Sequence, residues 1–83
     1  MKLRYFAWVR ERIGKPEEEL EPPAAIATVA DLIGWLSRRG EAYAHAFENP
    51  QVIRAAIDRA HVRADTMIAG AREIAFFPPM SGG

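Results

Sequence analysis

The stretch from Thr28 to Gly40 carries the fullest helix signature in the chain, and strand-like segments flank it on both sides. Thr28 is placed to cap the first turn, and Asp31, three residues on, approximates a capping box at the positive helix end. Val29, Leu32, Ile33 and Leu36 fall at i, i+3, i+4 and i+7, a single apolar stripe. Arg38 and Arg39 suit the negative end, and Gly40 stands where a left-handed C-cap is expected. A helix with one apolar stripe must bury it against another layer. The flanking segments repeat with period two, so that layer is a sheet, and the fold class is α+β.

Leu3, Tyr5, Ala7 and Val9 alternate with Arg4, Phe6, Trp8 and Arg10. That alternation predicts an N-terminal strand with Leu3, Tyr5 and Ala7 turned inward and Phe6 and Trp8 on the opposite side. A short turn is expected at Arg10 to Gly14, before Pro16. Glu17 to Glu21 reads as an exposed edge strand whose charge discourages pairing with other molecules, closed by Pro22-Pro23. The acidic run reads as solvated; a site for a cation or a basic partner is the alternative. Ala42 to Phe47 is expected to form a short helical turn, stopped by Asn49-Pro50.

Strand character returns at Val52 to Asp58, with Ile53, Ala55 and Ile57 on one face. Asp58-Arg59-Ala60 is a turn, and His61-Val62-Arg63 a brief following strand. Residues 64 to 71 read as a loop with Met67 and Ile68 packed beneath it, and Glu73 to Phe77 as the last strand. Sequential hairpin strands pair antiparallel. The first and last strands are expected to lie side by side and parallel at the centre, because the helix-containing middle supplies the crossover length. No internal repeat or low-complexity segment is visible.

With 83 residues the chain is one domain, and at 49% apolar it is too hydrophobic to be disordered. Eleven basic and eleven acidic residues leave no net charge to draw the molecule to nucleic acid or an anionic membrane. Cysteine is absent, which removes disulfides, thiolate metal sites and cysteine catalysis together and fits a reducing, cytoplasmic setting. No apolar run approaches the roughly 20 residues that span a bilayer. The residues Met1 to Tyr5 alternate rather than forming the apolar block of a signal peptide. His45 and His61 are far apart in sequence and lack cysteine partners, so no metal site is expected. Ser37 and Ser81 show no histidine–carboxylate partners, and no phosphate-cradling glycine loop is present. A self-contained enzyme is not what this chain describes.

The ending remains: Phe76-Phe77-Pro78-Pro79-Met80-Ser81-Gly82-Gly83. Two domain-level parts follow from it, a body over residues 1–77 and an extended tail over 78–83. Prolines lack the N–H for a sheet ladder and favour an extended course, so Pro78-Pro79 is a stiff spacer. Gly82 and Gly83 carry no Cβ and can enter a narrow channel beside another protein's backbone. The reactive group is then expected to be the Gly83 carboxylate, a poor acyl donor that needs activation, for instance as an acyl adenylate.

Over essentially its whole length the sequence resembles the small subunit of molybdopterin synthase, a ubiquitin-like sulfur carrier. The resemblance is densest in Glu73-Ile74-Ala75-Phe76-Phe77-Pro78-Pro79-Met80-Ser81-Gly82-Gly83, and Phe6-Ala7-Trp8-Val9-Arg10-Glu11 also resembles the family's first strand and its exit. The Phe-Phe-Pro-Pro element separates this group from other Gly-Gly carriers. Two positions depart from the pattern. Gly70-Ala71-Arg72 replaces an acidic-glycine-acidic turn, and Asp58 stands where asparagine is common.

The resemblance implies a β-grasp fold, a mixed sheet of four or five strands on one main helix. It implies that Gly83 is adenylated with ATP by a ubiquitin-activating-like enzyme and converted to a thiocarboxylate by a sulfur donor system. The sulfur then passes to cyclic pyranopterin monophosphate in the large synthase subunit, two carriers being consumed per product within a heterotetramer. No cofactor is expected on this chain; ATP belongs to the activating enzyme. Partner contacts are expected from Phe6, His61, Phe77, Pro78, Pro79, Met80, Ser81 and Gly82. Two alternatives share the tip: a sulfur carrier for thiamine thiazole synthesis, and a protein modifier conjugated through Gly83.

Overall fold

The computed structural model describes residues 1–79; Met80, Ser81, Gly82 and Gly83 lie outside the described residues. Five strands form one mixed sheet: β1 (Lys2–Tyr5), β2 (Glu17–Glu19), β3 (Arg54–Ile57), β4 (Ala60–Val62) and β5 (Glu73–Phe77), in the order β2-β1-β5-β3-β4. β1 and β5 pair in parallel at the centre, with Leu3 opposite Ile74 and Tyr5 opposite Phe76. The three other pairings are antiparallel. This is the β-grasp arrangement that the sequence resemblance implies.

The inner face carries α2 (Val29–Ser37), flanked by α1 (Ala7–Ile13) and α3 (Glu41–Ala46). Val29, Leu32, Ile33 and Leu36, the stripe read from the sequence, are all buried and share one core with Leu3, Tyr5, Ile74 and Phe76. Alternation along β1 and β5 turns these four sheet residues to the same side. Phe76 is fully buried, its ring stacked on Tyr5 at 6.4 Å between centroids and met edge-on by Phe47 at 5.5 Å. A truncation there costs about 3–5 kcal/mol, because the surrounding helices and sheet close only partly over the cavity.

The start of α2 is doubly secured. Thr28 Oγ1 accepts from the Asp31 N–H at 3.1 Å, while Asp31 Oδ2 accepts from the Thr28 and Ala27 N–H groups. Those backbone bonds hold the Asp31 carboxyl below the usual aspartate range. The Val29 and Ala30 N–H groups donate to the Thr66 and Ala64 carbonyls, so the 64–68 loop covers the helix end. Thr28 bridges Met67, and the Ile68 N–H donates to the Ala27 carbonyl. In that extended pairing neighbouring side chains face opposite ways. Ile68 enters the core, whereas Met67 is 60% exposed, which corrects the expectation that both pack beneath the loop.

The first strand is shorter than its alternation suggests. Phe6 is extended, Ala7 takes φ 53°, and the chain turns out of the sheet into α1. Val9 and Ile13, four residues apart, are the buried face of that helix, so the apolar period changes from two to four at Ala7. Ala7 is exposed, not turned inward, and a full helix replaces the expected turn at Arg10 to Gly14. Gly14, at φ 91°, ends it with its N–H on the Arg10 carbonyl at 2.8 Å. The expected left-handed cap at Gly40 is also corrected. α2 closes with tight bonds from Arg38 and Arg39 N–H to Trp35 and Leu36 carbonyls, and Gly40 is extended and opens α3. β3 begins two residues late, because Pro50–Val52 forms a 3-10 turn.

Candidate functional site: where the last strand leaves the sheet

β5 is the central strand, and the tail departs from its C-terminal end between β1 and β3. Ile74 and Phe76 anchor β5 from the inner face with no exposed surface. Glu73, Ala75 and Phe77 therefore face outward. The register places Arg4, Ala75, Ala56 and His61 in one row across that outer face. The next row toward the tail holds Phe77 opposite Arg54, with Phe6 following Tyr5 on the other side. Pro78 is half-buried at the exit, and Pro79 is exposed.

Of the partner-contact residues expected from the sequence, His61 and Phe77 touch, their rings edge to face at 5.2 Å. Phe6 is 38% exposed and donates its N–H to the Phe76 carbonyl at 3.1 Å, so its backbone is tied to the last strand just before the exit. Its ring is covered by the Arg4 guanidinium at 5.2 Å. All three lie on one face. Met80, Ser81, Gly82 and Gly83 lie outside the described residues. Sequence reading missed Arg4, Arg54, Ala56 and Ala75, which complete the face. Ala56 and Ala75 are buried although they point outward, at 7% and 8% exposure. Only the pairing of β3 with β5 brings these residues together, and strand parity within one segment does not reveal it.

The acidic edge is more differentiated than a solvated run. Glu17 and Glu19 are exposed, but Glu18 turns inward, and its Oε2 accepts from both the Tyr5 and the Tyr43 hydroxyls at 2.7 Å. Its Oε1 accepts from Lys15 Nζ at 3.3 Å. Burial pushes the Glu18 carboxyl up, but the bonds from Tyr43, Tyr5 and Lys15 together outweigh it and leave the group below the usual glutamate range. Burial, reinforced by Glu18, pushes the Tyr5 phenol far up. The signal was in the sequence: one residue of an alternating edge must face the core side.

Among the described residues, the hollows elsewhere gather no catalytic set. One of about 410 Å³, lined by Met1, Pro22, Met67 and Ala71 among others, sits at the opposite end from the tail. Another of about 300 Å³ lies on the helical side, against Ile33, Gly34, Phe47 and Pro50. His45 is exposed on α3, remote in the fold from His61 on β4. Among the described residues no group of three His, Asp or Glu side chains is placed to hold a metal ion, and no helix is long and apolar enough to cross a membrane.

A five-stranded β-grasp sheet whose central strand projects a Pro-Pro-led end defines a ubiquitin-like protein. The chain belongs to the ThiS family, which it matches over residues 3–83. It is 32% identical over 83 residues to the molybdopterin synthase sulfur carrier subunit of Escherichia coli (strain K12), covering 100% of this chain and 99% of that protein. The Haemophilus influenzae protein of the same description is 31% identical with the same coverage. Among solved structures, a putative molybdopterin converting factor subunit 1 from Pyrococcus furiosus aligns with TM-score 0.73 and 28% identity, over 95% of both chains. Small archaeal modifier protein 1 of Haloferax volcanii shares the fold, with TM-score 0.71 and 22% identity over 96% of this chain and 97% of that one.

Proposed function

We propose that this chain is the sulfur-carrying small subunit of a molybdopterin synthase, with the Gly83 carboxylate as its working group. The observation that carries the reading is the placement of the Phe76-Phe77-Pro78-Pro79 element. It ends the central strand, anchored from below by Phe76 and bordered above by Phe6, His61 and Phe77. The full-length relatives named above carry the same role in their names.

In this reading a Gly83 oxygen attacks the α-phosphorus of ATP on an activating enzyme, and pyrophosphate leaves. Hydrosulfide-level sulfur from a donor system then attacks the acyl carbon, the acyl–phosphate bond breaks with AMP as leaving group, the sulfur loses its proton, and the thiocarboxylate remains. In the large subunit the sulfur is transferred to cyclic pyranopterin monophosphate, and water oxygen restores the carboxylate. The chain binds no cofactor of its own. Its body supplies docking: the outer-face aromatics offer apolar area, and the proline spacer limits the entropy lost when the tail is threaded. Work in the cytoplasm as part of a heterotetramer belongs to the same reading.

The test is intact-mass and tail-fragment spectrometry after incubation with ATP, activating enzyme and sulfur donor, followed by addition of large subunit and pterin substrate. The expected result is oxygen-to-sulfur exchange on Gly83 and molybdopterin formation, both lost on deletion of Gly83 while binding to the large subunit persists. Undiminished sulfur transfer without Gly83 would sink the proposal. Thiazole formation in place of molybdopterin, or isopeptide conjugates on other proteins, would reassign the tail to one of the two alternative carriers.

A further inference from the structure

The amines of this chain all lie against carboxylates of a single edge. Lys2 Nζ is 3.5 Å from Glu17, and Lys15 Nζ is 3.3 Å from Glu18. The Met1 ammonium is 3.2 Å from Glu19 and 2.9 Å from Glu21. Those two lysines stand against nine arginines, whose guanidinium groups stay protonated and resist acylation. Chain composition thus restricts the acylable side chains, and β2 with its extension to Glu21 occupies those that remain.

This matters if the Gly83 terminus is activated, and the inference rests on that reading. An acyl adenylate is open to amines as well as to sulfur. A neutral amine attacking the Gly83 carbonyl carbon forms an amide, the acyl–phosphate bond breaks with AMP as leaving group, and the nitrogen loses its proton to solvent. The carrier would then be joined to itself or to another copy, its acyl carbon unavailable to sulfur. An ammonium ion has no free electron pair for this attack. We propose that β2 is a guard strand, whose carboxylates engage this chain's own amines in ion pairs and so reserve the activated terminus for sulfur.

The surroundings of each amine support this. Lys2 stands opposite Glu73 in β5 as well as Glu19 in β2, and Glu17 also receives Arg4 at 3.9 Å. Lys15 faces Glu18 and the Tyr43 ring at 6.0 Å, with the Tyr5 and Tyr43 hydroxyls on the same carboxylate. The hydrogen bond that Lys15 donates to Glu18 holds its ammonium above the ordinary range, and those that Met1 donates to Glu21 and Glu19 do the same for the N-terminal ammonium.

The experiment has two arms. Limiting N-hydroxysuccinimidyl acetate near neutral pH reads each amine directly by peptide mass spectrometry, with no need of an activated Gly83. Glu17→Gln is expected to raise acetylation at Lys2, Glu18→Gln at Lys15, and the Glu19→Gln/Glu21→Gln pair at Met1. Each gain is about 1.5- to 5-fold, the range of a surface ion pair, and confined to its own amine. Arg10→Lys, on the exposed side of α1 and without an ion pair among the described residues, provides an unguarded reference. Glu17 is exposed, so its variant keeps the test decisive if Glu18→Gln fails to fold. In the second arm, ATP and activating enzyme without sulfur donor should yield more Gly83–lysine linkage in the Gln variants and in Arg10→Lys than in wild type. Equal acetylation across all variants, or adenylation without added linkage, overturns the guard. Failure of adenylation in every protein, read by pyrophosphate release, overturns the sulfur-carrier reading while the first arm still decides the masking.

Discussion

Replacing Glu18 by alanine tests how the acidic edge is tied to the core. The substitution removes the one carboxylate oxygen that accepts both the Tyr5 and the Tyr43 hydroxyls at 2.7 Å. Both rings are buried, Tyr5 to 1% exposure and Tyr43 to 9%, so neither phenol can turn freely to water. A hydrogen bond to a charged group contributes about 1.5–3 kcal/mol, and an orphaned buried donor costs a similar amount. Partial hydration at the edge reduces the sum, and a loss of about 2–5 kcal/mol is expected. A chain of this length has about 4–12 kcal/mol in total. The variant should therefore melt roughly 8–40 °C lower, at about 4–8 °C per kcal/mol. Denaturant titration at neutral pH measures the loss directly. Adding Tyr5→Phe and Tyr43→Phe to Glu18→Leu should recover much of it, since no donor is then orphaned. The pH dependence has a definite sign. Glu18 is depressed in the fold, so its contribution is complete above the unfolded glutamate range and fades as pH falls through the lower folded value. A Glu18→Ala variant within about 0.5 kcal/mol of wild type, the range of a neutral surface change, would refute the coupling of the edge to the core.

Three further outcomes are expected. Arg59→Gly should stabilise the protein by about 1 kcal/mol in a thermal melt, because Arg59 sits at φ 75° in the two-residue turn between β3 and β4 and glycine carries no Cβ penalty there. Thr28→Ala should cost about 1 kcal/mol in urea unfolding, because the Asp31 N–H loses its cap while Asp31 still accepts from Thr28 N–H. Phe77→Ala should leave the melting curve nearly intact, since the ring is half-buried on the outer face, but weaken binding to a large synthase subunit by about 1–3 kcal/mol in calorimetry.

Much of this fold was legible in the sequence, for reasons that differ by element. The start and buried face of α2 were legible because Thr28, Asp31 and the apolar stripe agreed, whereas its end was placed too late, at Gly40. The parallel β1–β5 centre followed from crossover length, and β4 from the turn at Asp58 and Arg59. α1 was hidden because Leu3, Tyr5, Ala7 and Val9 keep an even spacing across a boundary where the chain changes conformation. The informative signs were Val9 with Ile13 and the glycine after them. Trp8 and Arg12, also four apart, stack at 4.4 Å and belong to the same helical surface. Asp58 shows what a departure from a family pattern can conceal. Its Oδ1 accepts from the Arg72 and Glu73 N–H groups at 3.1 and 2.9 Å, a role open to any side-chain carbonyl oxygen, an asparagine's included. In the candidate site, the exposed aromatics were readable by parity, whereas Arg4 and Arg54 needed the pairing of distant strands.

The central position of β5 has a mechanical consequence. Traction on its C-terminal end runs along the strand, and ladders on both sides resist it: β1 in parallel and β3 in the opposite sense. Hydrogen bonds loaded in shear share the force, while an edge strand pulled sideways releases them one at a time. A partner that draws the end into a channel, or strips it out afterward, would thus be hauling on the best-moored strand of the sheet. Single-molecule stretching between Lys2 and the last residue should show one high rupture event, and the same pull applied across β4 a lower one.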